Sequence, residues 1–384
     1  MTVFLAGAFG QGNPGDEALL SAFSRALGHL DPVASTCDPR GTEAAHGVTA
    51  VERDDVPRVG REIARADAVV VAGGTIFKTL HPSSGRPPLS LLRRTAALAT
   101  LTRALRKPLA LVGVGAAPIQ GRPARRLTRS IVRSADLLIL RDEESATHLA
   151  DAGAPTPIRV GADAAWTLVP DPAVKEAPVG AGGRAPVSFN GSGDEHGVVV
   201  ALSHLAGGPD LAERLAAGLA PVVDSDVPVR LDPWQPDGDA ELAAEVATRL
   251  HHPRVTIAPP PADLEEARDG MAGARLVLAQ RFHALVAAAG AGVPALAVAH
   301  EPKLEGLARR LEQPAVPADA APAALADEVL RTVDGAPAAP AAIERERASA
   351  EEAFRLLRVL LARGRSEEAA DLDGLDLRPE EWLG

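Results

Sequence analysis

The sequence predicts an α/β protein made of two doubly wound parallel-sheet domains. Short apolar runs alternate with segments of helical periodicity along most of the chain. A segment rich in Pro, Gly and Ala, between Pro170 and His196, interrupts this alternation. At 384 residues the chain is long enough for two domains that each bury a core.

The predicted strands form one series on each side of that segment. The first series is Val3–Ala8, Val33–Thr36, Ala68–Val71, Leu109–Gly113, Leu137–Leu140 and Ile158–Val160. The second series is Val198–Leu202, Val227–Leu231, Val255–Ile257, Leu276–Ala279 and Ala295–Val298. Each series alternates with helical segments, of which the first runs from Asp16 to Leu30. We therefore expect two Rossmann-like domains that face each other across a substrate cleft.

The domain prediction follows from these series. It places an N-terminal domain at 1–170, a linker at 171–196 and a C-terminal domain at 197–335. Residues 336–365 are predicted to contain a long helix, Ala341–Arg363, which packs back on the first half. Residues 366–384 are predicted to be an acidic surface tail.

Composition excludes several classes of protein. The net charge of −11 argues against a general nucleic-acid binder, which needs a clustered positive field. A single cysteine, Cys37, excludes an intramolecular disulfide and fits a reducing compartment. The first predicted strand begins at residue 3, which leaves no room for a signal peptide, and no apolar run approaches the roughly 20 residues that cross a bilayer. We therefore expect a cytoplasmic protein.

The turn Gly7–Glu17 follows the first predicted strand and formally contains the dinucleotide-binding spacing G-x-G-x-x-G. Pro14 removes a backbone N–H from this turn, and Asp16 and Glu17 place negative charge where a pyrophosphate would sit. A dinucleotide site is therefore disfavoured. The density of glycine favours a loop that faces a ligand, and a tight strand-to-helix connection is the alternative.

Cationic side chains follow three of the predicted strands. Arg141 ends the strand at 137–140, Arg281 and His283 follow the strand at 276–279, and Lys303 follows the strand at 295–298. An arginine and a histidine at a strand end suit an anionic substrate that needs a proton. The alternatives are an ion pair of Arg141 with the acids that follow it, and a structural histidine.

The ordered set of motifs resembles the polysaccharide pyruvyl transferase family. The motifs are Gly10-x-Gly12-Asn13-x-Gly15-Asp16-Glu17, Ala72-Gly73-Gly74, Gly113-Val-Gly115, Asp136 to Asp142 with Ser145, Ala162-Asp163, Arg281-Phe282-His283-Ala284 and Glu301-Pro302-Lys303. The resemblance implies an architecture similar to the GT-B glycosyltransferases. It also implies transfer of a pyruvyl group from phosphoenolpyruvate to a sugar of a polysaccharide or cell-envelope precursor, with ketal formation and release of phosphate.

The resemblance implies Arg281, His283 and Arg141 as the catalytic and donor-binding residues, and we expect Lys303 to assist in donor binding. We expect the acceptor sugar to contact residues of three loops: Gly12, Asn13, Asp16, Glu17, Gly74, Thr75, Lys78 and Asp163. Our hypothesis is that His283 is the general acid that protonates the methylene carbon of the donor. This scheme requires no metal and no cofactor.

Two other functions are compatible with the sequence. One is a GT-B-type glycosyltransferase that uses a nucleotide sugar, and the other is a sugar- or anion-binding protein without catalysis. The acceptor is compatible with a lipid-linked or a nucleotide-linked sugar.

The first half of the chain contains a basic region. It comprises Arg122–Arg133 together with Arg93, Arg94, Arg103, Arg106 and Lys107. A solvated helix face is the simplest interpretation. Contact with anionic lipid at the inner face of the membrane, or with a pyrophosphate-linked acceptor, is the alternative.

Overall fold

The computed structural model describes residues 1–80, 85–155, 158–171 and 197–363. Every strand pairing within these residues is parallel. The strands are β1 (Thr2–Phe9), β2 (Asp31–Thr36), β3 (Thr49–Glu52), β4 (Ala68–Ala72), β5 (Thr75–Phe77), β6 (Leu109–Ala116), β7 (Leu137–Leu140), β8 (Arg159–Val160), β9 (Val198–Leu202), β10 (Val229–Pro233), β11 (Val255–Ile257), β12 (Leu276–Ala279), β13 (Ala295–Ala299) and β14 (Ala315–Pro317).

Helices alternate with the strands along the chain. They are α1 (Pro14–Ala26), α2 (Pro39–His46), α3 (Val56–Arg65), α4 (Ser90–Ala104), α5 (Arg122–Ser134), α6 (Glu143–Asp151), α7 (Leu211–Asp224), α8 (Asp239–Leu250), α9 (Leu264–Met271), α10 (Phe282–Gly290), α11 (Pro302–Arg310), α12 (Pro322–Thr332) and α13 (Pro340–Arg363). Two 3₁₀ turns, Ala164–Leu168 and His204–Ala206, follow β8 and β9.

The strands form two sheets, each with the reversal of strand order that defines a doubly wound fold. The first sheet has the order β3-β2-β1-β4-β6-β7-β8, and β5 pairs with β6. The second has the order β11-β10-β9-β12-β13-β14. The order reverses between β1 and β4 in the first sheet and between β9 and β12 in the second. The predicted fold class, two Rossmann-like doubly wound parallel-sheet domains, is confirmed.

The central strands are continuous apolar runs because helices cover both faces of each sheet. Every residue of β4, with the sequence AVVVA, is buried, and so is every residue of β9, with the sequence VVVAL. Helix starts are fixed locally. The Asp142 carboxylate, for example, caps α6 by accepting the Ser145 N–H at 2.7 Å.

Three short strands were not predicted from the sequence, namely β3, β5 and β14. They contain three or four residues each, and β3 begins and ends with a polar residue, so apolar periodicity gives little signal there. Helix α1 ends at Ala26, four residues before the predicted end at Leu30. Most of the predicted linker and the whole predicted tail lie outside the described residues.

The chain divides into two compact units. The first consists of Met1–Gln11, Asp16–Thr167 and the described residues from Glu346 onward. Its core includes Phe4, Val69 and Leu111 from the sheet. The second consists of Gly12–Gly15 and Leu168–Arg345, and its core joins sheet and helix residues such as Val200, Leu278 and Leu219. Each unit therefore buries its own hydrophobic core.

The C-terminal half of α13 contributes a large side chain to the first unit. Phe354 is 3% exposed and meets Phe23 of α1 edge to face, with ring centroids 4.9 Å apart. Aromatic pairs of this geometry are favourable beyond the area they bury. Residues after Glu346 are therefore part of the core of the first unit.

Phe354→Ala should lower the free energy of unfolding by about 3–5 kcal/mol, because it removes a buried ring and leaves a cavity. Chemical denaturation monitored by circular dichroism measures the change. Arg358→Ala, on the exposed side of the same helix, is the matched control and should change stability by less than about 0.5 kcal/mol. Equal effects of the two substitutions would contradict the packing described for α13.

Candidate functional site

The carboxyl ends of parallel strands lie at one edge of a sheet, and the predicted site residues follow such ends in each unit. In the first unit, the residues after β1, β4, β5, β7 and β8 are Asp16, Glu17, Gly74, Thr75, Lys78, Arg141 and Asp163. In the second unit, Arg281 and His283 follow β12 and Lys303 follows β13. The structure thus places each predicted set at the edge where a doubly wound sheet binds ligands.

The first unit brings Arg141, Thr75 and Asp163 together. The Arg141 side chain is 3% exposed, and its Nη2 donates a hydrogen bond to Thr75 Oγ1 at 2.7 Å. Its Nε donates to Asp142 Oδ2 at 3.1 Å, and its Nη1 lies 3.6 Å from Asp163 Oδ2. The pair with Asp142 is the local ion pair that the sequence also allowed. Two carboxylates therefore compensate a buried guanidinium and fix its orientation.

Gly115 explains part of the motif Gly113-Val-Gly115. A Cβ atom built on Gly115 would lie 2.7 Å from Arg141 Nη2, so a larger residue here would displace the guanidinium from its hydrogen-bonded position. The backbone of β6 thus lies directly against the guanidinium, and Gly115 is required for space.

Gly74 has a different requirement. Its φ of +76° favours glycine, although no atom lies within 4 Å of the position that a Cβ atom would occupy.

Glu17 and Asn13 shape the glycine-rich turn after β1. Glu17 Oε1 accepts the Gly10 N–H at 2.8 Å, and Glu17 Oε2 lies 3.0 Å from His46 Nε2. Asn13 Oδ1 accepts the Gly15 N–H at 3.1 Å. Both side chains therefore hold backbone N–H groups of the turn in place. Asp16 and Glu17 also provide negative charge in the first turn of α1, as the helix dipole favours.

Asp239 is the centre of the hydrogen-bond network in the second unit. It is the first residue of α8, and its carboxylate is fully buried. Asp239 Oδ2 accepts the Trp234 and Gln235 N–H groups at 3.2 and 2.9 Å and forms a short ion pair with Arg281 Nη2. Asp239 Oδ1 accepts the His204 N–H at 2.8 Å and contacts His204 Nδ1 at 2.6 Å. One carboxylate thus joins the ends of β9, β10 and β12.

Hydrogen bonds at two of its three side-chain nitrogens orient Arg281. Its Nε donates to the Leu202 carbonyl at 3.0 Å, and its Nη2 donates to Gln235 Oε1 at 3.1 Å as well as to Asp239. Among the described residues, Nη1 has no hydrogen-bond partner. The Arg281 side chain is 12% exposed. The guanidinium is therefore rigidly held and keeps one nitrogen available to an anion.

Asp239 holds His204 at two atoms, and Gly238 leaves space for its ring. Asp239 binds its backbone N–H and its Nδ1, and a Cβ atom on Gly238 would lie 2.7 Å from the imidazole ring. The side chain is 36% exposed, and its Nε2 has no partner among the described residues. Because an ionised carboxylate only accepts, Nδ1 carries the proton and Nε2 can accept one.

His283 is the second residue of α10, and the N-cap residue Arg281 forms no side-chain capping hydrogen bond to this helix. Its imidazole packs edge to face on Phe282, with centroids 5.3 Å apart. The segment Gly12–Gly15 belongs to the same compact unit, and a Cβ atom on Gly15 would lie 2.0 Å from His283 Nδ1. Gly15 therefore provides space for the histidine.

Lys303 does not join the Arg281 network in the described contacts. Its Nζ forms a short ion pair with Glu301, and both side chains are partly exposed.

Lys78, in the first unit, is half-buried directly after β5 and has no ion-pair partner among the described residues. No group of three or more His, Cys, Asp or Glu side chains in the described parts of the chain is arranged to hold a metal ion.

A family model described as polysaccharide pyruvyl transferase matches residues 13–302, which is most of the chain. The chain belongs to the polysaccharide pyruvyl transferase family. The match contains all of the site residues described above except Gly12 and Lys303, which lie just outside its two ends. No curated protein sequence gives a significant match.

Solved structures similar to this pyruvyl transferase family member are enzymes or complexes of the GT-B-like fold. HepE from Anabaena in complex with UDP-glucose is 15% identical in sequence, with a TM-score of 0.59. The alignment covers 98% of this chain and 100% of the HepE chain. MnaA from S. aureus with UDP is 12% identical with a TM-score of 0.62, and covers 98% of each chain. UDP-GlcNAc 2-epimerase from Methanocaldococcus jannaschii is 12% identical with a TM-score of 0.60, and covers 93% of this chain and 99% of its own. At these identities the likeness establishes the fold.

Asp239 and His204 were not predicted from the sequence. His204 follows the predicted strand at 198–202 by two residues, as Arg281 follows its own strand, so the position of His204 alone could have indicated it. Asp239 lies in a turn with many polar residues and Pro, where an acid at a helix start is usually a cap. Its long-range partners, 35 and 42 residues away along the chain, leave no local pattern.

In this pyruvyl transferase family member, Asp239→Asn should lower the free energy of unfolding by about 3–5 kcal/mol. The amide places a donor where N–H groups now converge and leaves Arg281 without its counter-charge. Urea denaturation measures the loss. Asp237→Asn, an exposed position two residues earlier, is the matched control and should have an effect below about 0.5 kcal/mol. A mild effect at Asp239 would contradict its role as the centre of the network.

Proposed function

We propose that the protein transfers a pyruvyl group from phosphoenolpyruvate to a sugar of a polysaccharide or cell-envelope precursor, forming a ketal and releasing phosphate. One observation carries the proposal. Arg281, two residues before His283, lies at the carboxyl edge of the second sheet and keeps its Nη1 available to a ligand. Membership of the pyruvyl transferase family supports this choice over other anionic substrates.

The donor carries a carboxylate and a phosphate on adjacent atoms, so its site needs several donors at close range. Arg281 supplies one charged nitrogen that is already oriented. The first turn of α10 begins directly after Arg281, and the N-terminus of a helix favours an anion. Lys303 would add a second cation if its Nζ left the ion pair with Glu301 and bound the donor. We assign donor binding to Arg281, His283 and Lys303, with Arg141 as the cation of the first unit.

Arg141 has a different setting from Arg281. Its guanidinium is almost fully buried and compensated by Asp142 and Asp163. We propose that it stabilises developing charge on the donor as part of a fixed, oriented dipole network. Its hydrogen bond to Thr75 would transmit this orientation to the loop after β4.

Ketal formation needs one proton on carbon and the removal of two hydroxyl protons. In our scheme His283 protonates C3 of the donor, so that C2 becomes electrophilic and is attacked by the first sugar hydroxyl. His204 Nε2 accepts the proton of that hydroxyl. The second hydroxyl then displaces phosphate from C2, and its proton leaves with the phosphate. The sum is phosphoenolpyruvate plus a diol, giving a ketal and inorganic phosphate.

The acceptor is assigned to loops of the first unit and to the turn after β1. Gly12, Gly74 and Lys78 are assigned to direct contact with the acceptor, and at Gly74 a Cβ atom would meet nothing within 4 Å. Four other predicted acceptor residues already form interactions within the protein, so we propose that they shape these loops: Asn13, Glu17, Thr75 and Asp163. Asp16 is assigned to the same turn.

The function is tested by incubating the protein with phosphoenolpyruvate and a panel of acceptors: UDP-glucose, UDP-N-acetylglucosamine, methyl glycosides and lipid-linked sugars. Phosphate release and a ketal methyl signal in the NMR spectrum are expected with at least one acceptor. His283→Gln should lower turnover by about 10² or more if it is the general acid. His29→Gln, at an exposed position in the first unit, is the control and should leave turnover unchanged. Ligand binding without phosphate release across the panel would instead indicate a binding protein.

The dependence of kcat/KM on pH separates the roles of the two histidines. A base must be unprotonated and an acid protonated, so the wild-type profile should be bell-shaped. His204→Gln should remove the acidic limb and keep the alkaline limb, and His283→Gln should do the reverse. A structural role for His204 would lower the rate without changing the shape of the profile, which would disprove its assignment as the base.

A second candidate is a glycosyltransferase that uses a nucleotide sugar. It is favoured by one observation, the UDP and UDP-glucose complexes among similar structures. Thermal unfolding distinguishes the two functions, because a ligand that binds the native state raises the midpoint. Protection by phosphoenolpyruvate favours pyruvyl transfer, whereas protection by UDP without any by phosphoenolpyruvate favours the glycosyltransferase.

A further inference from the structure

The charge of the chain is distributed very unevenly along the sequence. Between Asp67 and Asp136 there are twelve Lys and Arg residues and no Asp or Glu, although the whole chain carries 51 acidic residues and a net charge of −11. This acid-free stretch contains α4 and α5 together with the strands β4, β5 and β6. The proposed chemistry of the protein uses only Lys78 among these cations.

The structure brings most of these cations onto one surface. Helices α4 and α5 pack against each other, and each buries one side, through Leu92 and Ala99 in α4 and Ala124 and Ile131 in α5. We call their outward side, with the residues that directly follow α4, the basic face. Its exposed cations are Arg93, Arg94, Arg103, Arg106, Arg122, Arg125, Arg126 and Arg133.

The basic face is not neutralised by neighbouring acids. Arg94 pairs with Asp54 at 3.1 Å. Burial and the nearby Arg53 hold the pKa of Arg94 below its ordinary value. In the described parts of the chain, the other seven exposed arginines form no ion pair. Seven guanidinium groups on or directly after two adjacent helices therefore produce a local positive field in an acidic protein.

The basic face also contains apolar groups. Leu101 and Leu105 are each 36% exposed on or just after α4. A cavity of about 390 Å³ lies at the starts of both helices, and Pro87, Pro88, Leu89 and Pro123 line it together with Arg93. No Phe, Trp or Tyr occurs between residues 78 and 135, so the face has no such ring on which a nucleic-acid base could stack.

We infer that the basic face binds the surface of an anionic lipid bilayer. Lipid headgroups supply the negative charge that the arginines lack within the protein, and the acyl boundary accommodates exposed leucines. Contact of this kind is peripheral. No helix in the described ranges has both the length and the apolar character needed to cross a membrane. The inference is independent of the proposed chemistry.

The test is co-sedimentation of the full chain with vesicles. Vesicles of phosphatidylcholine alone are compared with vesicles that contain about one third phosphatidylglycerol, at low and at high salt. Binding is expected only to the anionic vesicles and only at low salt, because salt screens exposed charges. Equal binding to both kinds of vesicle, or no binding to either, overturns the inference.

Matched charge reversals locate the surface. Arg125→Glu with Arg126→Glu should lower the fraction bound by at least about tenfold, since each basic residue near the surface contributes separately. Arg25→Glu with Arg40→Glu changes the net charge equally at exposed positions of α1 and α2 and should retain binding within about twofold. Arg93→Glu with Arg103→Glu, on α4, is a second test pair if the first variant unfolds. Equal losses in the test and control variants overturn the location.

A competition experiment separates lipid from nucleic acid. Duplex DNA of about 30 base pairs is added at the same ionic strength to protein that is bound to anionic vesicles. If the basic face recognised phosphate backbones in general, the protein would move from the vesicles to the DNA. Retention on the vesicles is expected. Transfer of most of the protein to the DNA would overturn the inference in favour of a nucleic-acid surface.

Discussion

The second unit depends on one buried carboxylate, that of Asp239. Five N–H groups from residues after three different strands converge on its two oxygens, and two of these donors belong to side chains proposed to act in chemistry. A carboxylate without solvent is stable only when its lone pairs are used. The arrangement of this sheet edge therefore depends on the Asp239 carboxylate.

Arg141 and Arg281 illustrate two uses of a guanidinium at a strand end. Arg141 is 3% exposed and has two carboxylates as neighbours, so its charge is balanced inside the protein. Arg281 has one carboxylate partner and keeps a nitrogen without a partner in the described part of the chain. The first arrangement stabilises a local geometry, and the second leaves electrostatic attraction for a ligand.

The central strands could be predicted from the sequence because buried parallel strands are continuous apolar runs, as in β4 and β9. The positions of Arg281 and His283 could be predicted because strand ends follow from strand positions. The partners of these residues could not. The Arg281–Asp239 contact joins residues 42 positions apart, and it depends on the register of neighbouring strands, which local periodicity does not specify. The burial of Arg141 likewise depends on Gly115 of the adjacent strand.

The acid-free stretch has a physical consequence for the whole molecule. A protein with a net charge of −11 is repelled as a whole by a negatively charged plane, whereas its α4–α5 surface is attracted. Within the first unit, the exposed arginines of α4 and α5 concentrate positive charge on one surface. An approaching anionic surface would therefore exert a torque on this unit as well as a force. In the proposed binding, this torque orients the unit before any specific contact is made.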